Sequence, residues 1–285
     1  MKGKFQAIAI LFKLRLATFV VFSSVIGLVI ASNNTANWLD ILVISIAGFL
    51  VTGASNALNQ IFEKDTDLLM ERTKNRPVVT GYFSKTEASL YAGIAAVVGL
   101  LMITLYFNEM AGLLAAVSLI TYAFIYTPLK KVNSIAVFIG AIPGALPPMI
   151  GAVAFDGYFG FWAIFLFSVQ FIWQFPHFWA IAWVSFADYK KAGIMLLPSA
   201  SGKSKESALI TLVYALVLIP ITILPFFMGF LGIIGAIVAG LVAVYFAYFA
   251  VVLYQKCDDK SARKLMFASF LYLPVVLFSY LIDKI

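Results

Sequence analysis

Apolar residues in this chain neither alternate with polar ones nor keep to one helical face; they run on in long blocks separated by short polar breaks. Nine blocks can be placed: Leu16 to Ala31, Leu39 to Phe62, Ala88 to Tyr106, Ala111 to Tyr126, Ile135 to Val153, Phe161 to Val184, Leu209 to Phe227, Leu231 to Tyr254 and Leu265 to Leu281. About 20 such residues in a helix cross a hydrocarbon core of roughly 30 Å. Barrel strands would show a period of two, and these runs show none. The pattern therefore predicts an all-α polytopic membrane protein of nine transmembrane helices, with residues 1–285 as a single membrane-embedded domain. Lys2, Lys4, Lys13 and Arg15 precede the first run, as in a signal peptide, but no small-residue cleavage site follows before Trp38, which favours a membrane helix.

Composition agrees with the pattern. Of 285 residues, 63% are hydrophobic and 12% charged, against about 25% charged in an ordinary soluble domain. All but one of the twenty Lys and Arg lie before the first run or in the breaks after the second, fourth, sixth and eighth; the exception is Lys284. By the positive-inside rule the N-terminus is cytoplasmic and the C-terminus outside; the membrane itself is expected to be the inner (plasma) membrane. The net charge of +7 is then a cytoplasmic collar and not a nucleic-acid surface. A single cysteine, Cys257, excludes an intrachain disulfide, and no Cys/His cluster has metal-site spacing. Chemistry falls to carboxylates, amides, tyrosines, basic residues and one histidine.

Those residues concentrate at the end of the second run. At 100° per residue Asn56, Asn59 and Glu63 share one stripe, and Asp67 joins it if the helix continues; Asp65 faces away unless the helix unwinds. Polar groups at membrane depth are costly and face a cavity or a partner. Clustered carboxylates repel, and Mg2+ relieves this with a few protein oxygens completed by water and phosphate. Arg72, Lys74 and Arg76 supply the charge a diphosphate needs. The bland alternative is a solvated helix end, with Lys64, Glu71 and Arg72 in ordinary ion pairs. A transporter, with the same acids and amides around a cation, is the competing function, though charge confined to one membrane face does not favour it.

The spacing Asn59-x3-Glu63-x3-Asp67 followed by Glu71-Arg72-Thr73-Lys74-Asn75-Arg76-Pro77 resembles the first acidic motif of the UbiA superfamily of intramembrane prenyltransferases, and more narrowly its haem-farnesylating branch. Tyr126-Thr-Pro-Leu-Lys130-Lys131, Gly140 to Pro148, Gln174-Phe-Pro176-His177-Phe178 and Asp188-Tyr189 to Gly193 also fit. The likeness runs from about Arg15 to Pro198, and the last three helices add only hydropathy. It implies a UbiA-like bundle, Mg2+ as cofactor, and farnesyl diphosphate and haem B as partners within membrane lipid, with a downstream haem A synthase or oxidase subunit beyond. It implies catalytic roles for Asn59, Glu63, Asp67, Arg72, Arg76, Tyr126, Lys130 and Asp188. Substrate binding falls to Arg15, Asn56, Lys74, His177 and Tyr189, and metal ligation to Glu63, Asp67, Asn59, Asp65 and Asp188. Glu63 stands where the motif commonly has Asp, and the second acidic motif is reduced to Asp188. Tyr126 and Lys130 also read as an interfacial aromatic beside a topology-setting lysine. His177 reads as an axial or edge contact to haem, a proton-transfer group, or a histidine bonded between helices beside Pro176. Within the same fold, prenylation of an aromatic quinone precursor is the runner-up.

Overall fold

The computed structural model describes residues 3–33 and 35–285, so that Lys2 of the basic N-terminal segment lies outside the described residues. Nine helices among them are long and apolar enough to span a membrane. A short helix that the apolar pattern did not predict, α1 (Lys4–Leu11), leads into α2 (Leu14–Ala31). Then come α3 (Trp38–Phe62), the short α4 (Lys64–Leu68), α5 (Lys85–Tyr106) and α6 (Glu109–Ile120), which continues through a π-helical turn, Thr121–Tyr126, into α7 (Thr127–Leu129). The remainder are α8 (Ala136–Asp156), α9 (Phe161–Val184), the short α10 (Phe186–Lys191), α11 (Lys205–Phe227), α12 (Ile233–Lys256) and α13 (Asp259–Asp283). This is an integral, multi-pass, all-α membrane protein, as the pattern predicts.

Several spans start earlier than hydropathy alone suggests, because polar residues cap them. Ser84 and Glu87 form a reciprocal capping box at the start of α5, and Asn37 and Asp40 do so for α3. Ser204 and Asp258 cap α11 and α13, which accounts for the extra turns before Leu209 and Leu265.

The spans close into a ring: α2 packs on α3, α3 on α5, α5 on α6, α6 on α8, α8 on α9, α9 on α11 and α13, α11 on α12, α12 on α13, and α13 on α2 again. α8, the most buried span, also packs against α2 from inside this ring. Its contact with α2 is backbone to backbone: a Cβ at Gly27 would strike the Pro148 carbonyl, and one at Gly151 the Ser24 carbonyl.

α8 carries Pro143, Pro147 and Pro148, each without the N–H that a carbonyl four residues earlier expects. Neighbouring helices repair the loss. Gln170 Nε2 on α9 donates to the Gly144 carbonyl at 2.6 Å, the partner Pro148 cannot supply, and Ser118 Oγ on α6 donates to the Pro143 carbonyl at 3.2 Å in place of Pro147. Gln174 Nε2 reaches the Ala141 carbonyl at 3.1 Å. Side-chain donors thus support a proline-interrupted helix in apolar surroundings, where an unmet carbonyl costs several kcal/mol by the order-of-magnitude rule for hydrocarbon.

At the end of the bundle away from the basic loops, Lys284 Nζ donates to the Val29 and Ile30 carbonyls at 2.8 and 2.9 Å. The lysine that breaks the charge rule is therefore a C-terminal cap on α2, where unpaired carbonyls and the helix dipole favour a cation. Asp283 beside it accepts from Gly235 N at 2.6 Å, which ties α13 to the start of α12.

Candidate active site

The stripe on α3 exists, and it continues past the helix end. α3 stops at Phe62, where Glu63 leaves helical geometry, yet Glu63 N bonds to the Asn59 carbonyl and Asp67 N to the Glu63 carbonyl at 2.7 Å. Asn56, Asn59, Glu63 and Asp67 all face inward and are buried, whereas Asp65 is exposed. The kink is too slight to bring Asp65 round, so its predicted place among metal ligands is corrected.

Cations from three other segments meet this stripe. Lys130 pairs with Glu63, and Arg76 Nη1 lies 2.5 Å from Asp67 Oδ2. Lys13 Nζ donates to Asn59 Oδ1 at 3.1 Å. Lys13 reaches inward because it adopts left-handed backbone geometry between α1 and α2, φ 48°, at a cost of about 1–2 kcal/mol for a non-glycine residue. Burial, with Arg76 and Lys130 nearby, lowers its ammonium to about 7 despite Glu63 and Asp67. Burial likewise pushes the Asp67 carboxyl above its usual range, against the pull of Arg76.

The π-helical turn sets the far wall. Thr127 N bonds to the Tyr122 carbonyl five residues back, and Thr127 Oγ1 donates to the same carbonyl at 2.8 Å while accepting from Asn59 Nδ2 at 3.2 Å. The wider turn carries the helix through Pro128, and Lys130 N bonds to the Tyr126 carbonyl, so Tyr126 and Lys130 are one turn apart. Lys130 Nζ lies 5.6 Å from the Tyr126 ring centroid. Gly140 admits that ring, since a Cβ there would lie 2.6 Å from it.

Next to the ionic cluster is a largely apolar chamber of about 420 Å³, which the cluster meets at Asn56, Tyr126 and Arg72. This volume is within the range of small-molecule sites, about 300–1,000 Å³. Arg72 Nη2 donates to the Tyr189 hydroxyl at 3.1 Å, which joins the loop after α4 to α10 at the chamber's mouth. Met70 from that loop packs against Ala192 and Ile194, which follow α10. Deeper in the wall is His177, with Nδ1 2.6 Å from Ser269 Oγ and its ring stacked on Trp173 at 4.6 Å. The wall residues Leu16, Phe19, Phe178 and Phe270 are also exposed on the outside of the bundle.

Among the described residues no three His, Cys, Asp or Glu side chains converge as a ready metal cage. A divalent ion here would need ligands from outside the protein, which suits Mg2+ with a diphosphate. The donor set fits: Asp67 Oδ1 is buried without a hydrogen-bond partner, and Glu63 Oε1 is also buried, with only the Lys130 ammonium against it.

The sequence matches the UbiA prenyltransferase family over residues 20–273. This chain belongs to that family. Among its relatives, the protoheme IX farnesyltransferase of Cytophaga hutchinsonii is 44% identical over 285 residues, covering all of both chains. The fold is shared with a structure described as digeranylgeranylglyceryl phosphate synthase, at a TM-score of 0.81 and 21% identity over 99% of each chain. It is shared too with a UbiA homolog from Archaeoglobus fulgidus bound to GPP and Mg2+, at a TM-score of 0.67 and 15% identity over 96% of this chain and 99% of that one. The family likeness extends well past Pro198 into the last helices.

Several residues expected at the site of this UbiA member stand elsewhere. Arg15 is exposed, and Lys13, two residues earlier, takes the inward position. Lys74 pairs with Glu71 on the surface at 2.5 Å. Asp188 is outside the chamber wall, 3.6 Å from Lys191, because α9 ends at Val184 and the chain breaks at Ser185 before α10. His177 and Asp188 therefore do not share one straight helix. Asn56 lines the chamber, and its Nδ2 also donates to the Phe12 carbonyl at 3.3 Å. With Gln60, which donates to the Ile10 and Leu11 carbonyls, it closes the end of α1. Lys13, Thr127 and Tyr122 are the site residues the sequence reading missed. A lysine next to the first apolar run was one signal among four and read as topology.

Proposed function

We propose that this UbiA family member transfers the farnesyl group of farnesyl diphosphate to a vinyl group of haem B, giving haem O and diphosphate. Its full-length similarity to a protoheme IX farnesyltransferase suggests the substrates. The observation that carries the chemistry is the pairing of a buried acid, amide and cation cluster with an apolar chamber that holds one imidazole.

The diphosphate sits among Lys13, Lys130, Arg76 and Arg72, the first three of which release protein oxygens to take phosphate oxygens. Glu63 and Asp67, with the Asn59 amide oxygen beside them, would hold Mg2+, which when bound supplies positive charge against the leaving group. Thr127 keeps the Asn59 amide in place. The Tyr122 and Tyr126 rings, with centroids 5.4 Å apart, offer π faces to the allylic carbon as positive charge develops there. The isoprenoid lies in the apolar chamber, away from bulk water, and both it and haem arrive from the lipid past the exposed wall residues. The C–O bond to diphosphate breaks with its electron pair leaving on oxygen, and the vinyl group supplies the electrons of the new C–C bond. Water then adds to the resulting cation and loses a proton, leaving the hydroxyethylfarnesyl side chain. The basic end of the bundle, with the site, faces the cytoplasm of the plasma membrane, and residues 1–285 work as one domain.

The test is to incubate membranes bearing the protein with haem B, farnesyl diphosphate and Mg2+ and to analyse the extracted haems by mass. A haem heavier by one farnesyl group and one hydroxyl is expected. No new haem, with prenylation of a phenolic acid instead, would overturn the assignment.

A further inference from the structure

His177 sits on α9, inside the membrane, with an environment more specific than a helix-bridging histidine requires. Ser269 on α13 is fully buried and makes two short contacts: its Oγ lies 2.6 Å from the Met266 carbonyl and 2.6 Å from His177 Nδ1. A carbonyl only accepts, so the serine proton goes to Met266, and the contact to the ring requires Nδ1 to carry the donor. In the neutral imidazole the other nitrogen, Nε2, then bears the lone pair. Among the described residues Nε2 has no hydrogen-bond partner and is not one of the enclosed unpaired atoms, and His177 lines the chamber. No carboxylate of the described residues pairs with the ring.

The surroundings keep this arrangement rigid. Trp173, one turn before His177, stacks on it with planes 18° apart, and Trp173 Nε1 donates to the Ser269 carbonyl at 3.0 Å. One serine is thus held through its carbonyl by the indole and through its hydroxyl by the imidazole. Tying α9 to α13 uses Nδ1 alone and leaves the accessible Nε2 without a structural task. Phe178 and Phe270 flank the ring on the chamber wall, flat apolar surfaces suited to a flat macrocycle.

We infer that Ser269 is a positioning residue: it fixes His177 as the Nδ1–H tautomer, so that the Nε2 lone pair is presented to the chamber as an axial ligand for the iron of the haem acceptor. This rests on the haem reading above and selects axial ligation over edge contact or proton transfer. Partners of a ligating histidine typically change metal affinity about 10–100-fold when removed.

The experiment titrates haem B into the purified full chain and follows the absorption and electron paramagnetic resonance spectra, with farnesyl diphosphate affinity measured separately as the check on folding. The wild type is expected to give a nitrogen-ligated haem spectrum. His177→Ala loses that spectrum, and added imidazole restores it. Ser269→Ala weakens haem binding about 10–100-fold, and Ser269→Thr, which keeps the hydroxyl, returns to within a few-fold of wild type. An unaltered haem spectrum in His177→Ala, or wild-type haem affinity in Ser269→Ala, overturns the inference. Were haem O still formed in those cases, the farnesyltransferase reading would stand without it. Absence of both haem binding and haem O would remove the two together.

Discussion

Replacing Arg76 by Ala separates what the ionic cluster does for folding from what it does for catalysis. Asp67 is 0% exposed and Arg76 17%, so Arg76→Ala leaves a carboxylate in the protein with no cation in contact. Breaking a buried pair from one side costs about 3–5 kcal/mol. The residual exposure of Arg76 gives water some access, which puts the expected loss near the lower end, about 3 kcal/mol. Adding Asp67→Asn removes the stranded charge and keeps the shape, so the double variant should recover most of that stability. Activity should not follow: a lost cation at a developing negative charge costs about 10²–10³ in turnover, and the amide is a poorer metal ligand. The assays are thermal unfolding in detergent, read by tryptophan fluorescence, and kcat/KM for farnesyl diphosphate from haem O formation. Two results would refute the reasoning: Arg76→Ala as stable as wild type, or a double variant that regains turnover along with stability. The second would make the pair purely structural.

Chelation of divalent ions should abolish product formation, and Glu63→Ala or Asp67→Ala should lower turnover by orders of magnitude in normally inserted protein, while Asp65→Ala, on the exposed side of α4, stays within a few-fold of wild type; full activity in excess chelator would discard the metal role. A cysteine at exposed Asn75 or Ser201 should react only with reagent on the cytoplasmic side and one at Gly157 only from outside; Asn34, the natural companion to Gly157, lies outside the described residues. Gln170→Leu removes the donor to the Gly144 carbonyl and should lower stability by about 1–3 kcal/mol; an unchanged unfolding temperature would show that α8 satisfies that carbonyl otherwise.

The spans and the Asn59, Glu63, Asp67 stripe were legible because each depends on local rules: hydropathy over a window, and the helical angle between residues three or four apart. What escaped depends on where the backbone departs from those rules. Lys13 belongs to the site because one residue takes left-handed geometry, and nothing in its neighbours announces that. Arg15, by contrast, is carried outward by regular helix. A proline such as Pro128 ordinarily marks a helix end, but a π turn absorbs it and keeps Lys130 above Tyr126. Asp188 is parted from α9 by a break at Ser185 that no proline or glycine marks. Asn56 and Gln60 have an inward-facing position that was readable, but their partners are carbonyls of a helix the apolar pattern did not reveal.

The Lys284 ammonium bears on how the bundle is made. The carbonyl of Val29 and the amine that caps it are 255 positions apart in the chain. During synthesis the first span therefore enters the bilayer with an end that only much later sequence can finish, and its neighbour across the closing seam, α13, brings the missing donor. Until that seam shuts, α2 is held by α3, α8 and α9. The chamber wall, to which both α2 and α13 contribute, is complete only when the ninth span has docked, so substrate binding reports the end of assembly as well as the quality of the fold.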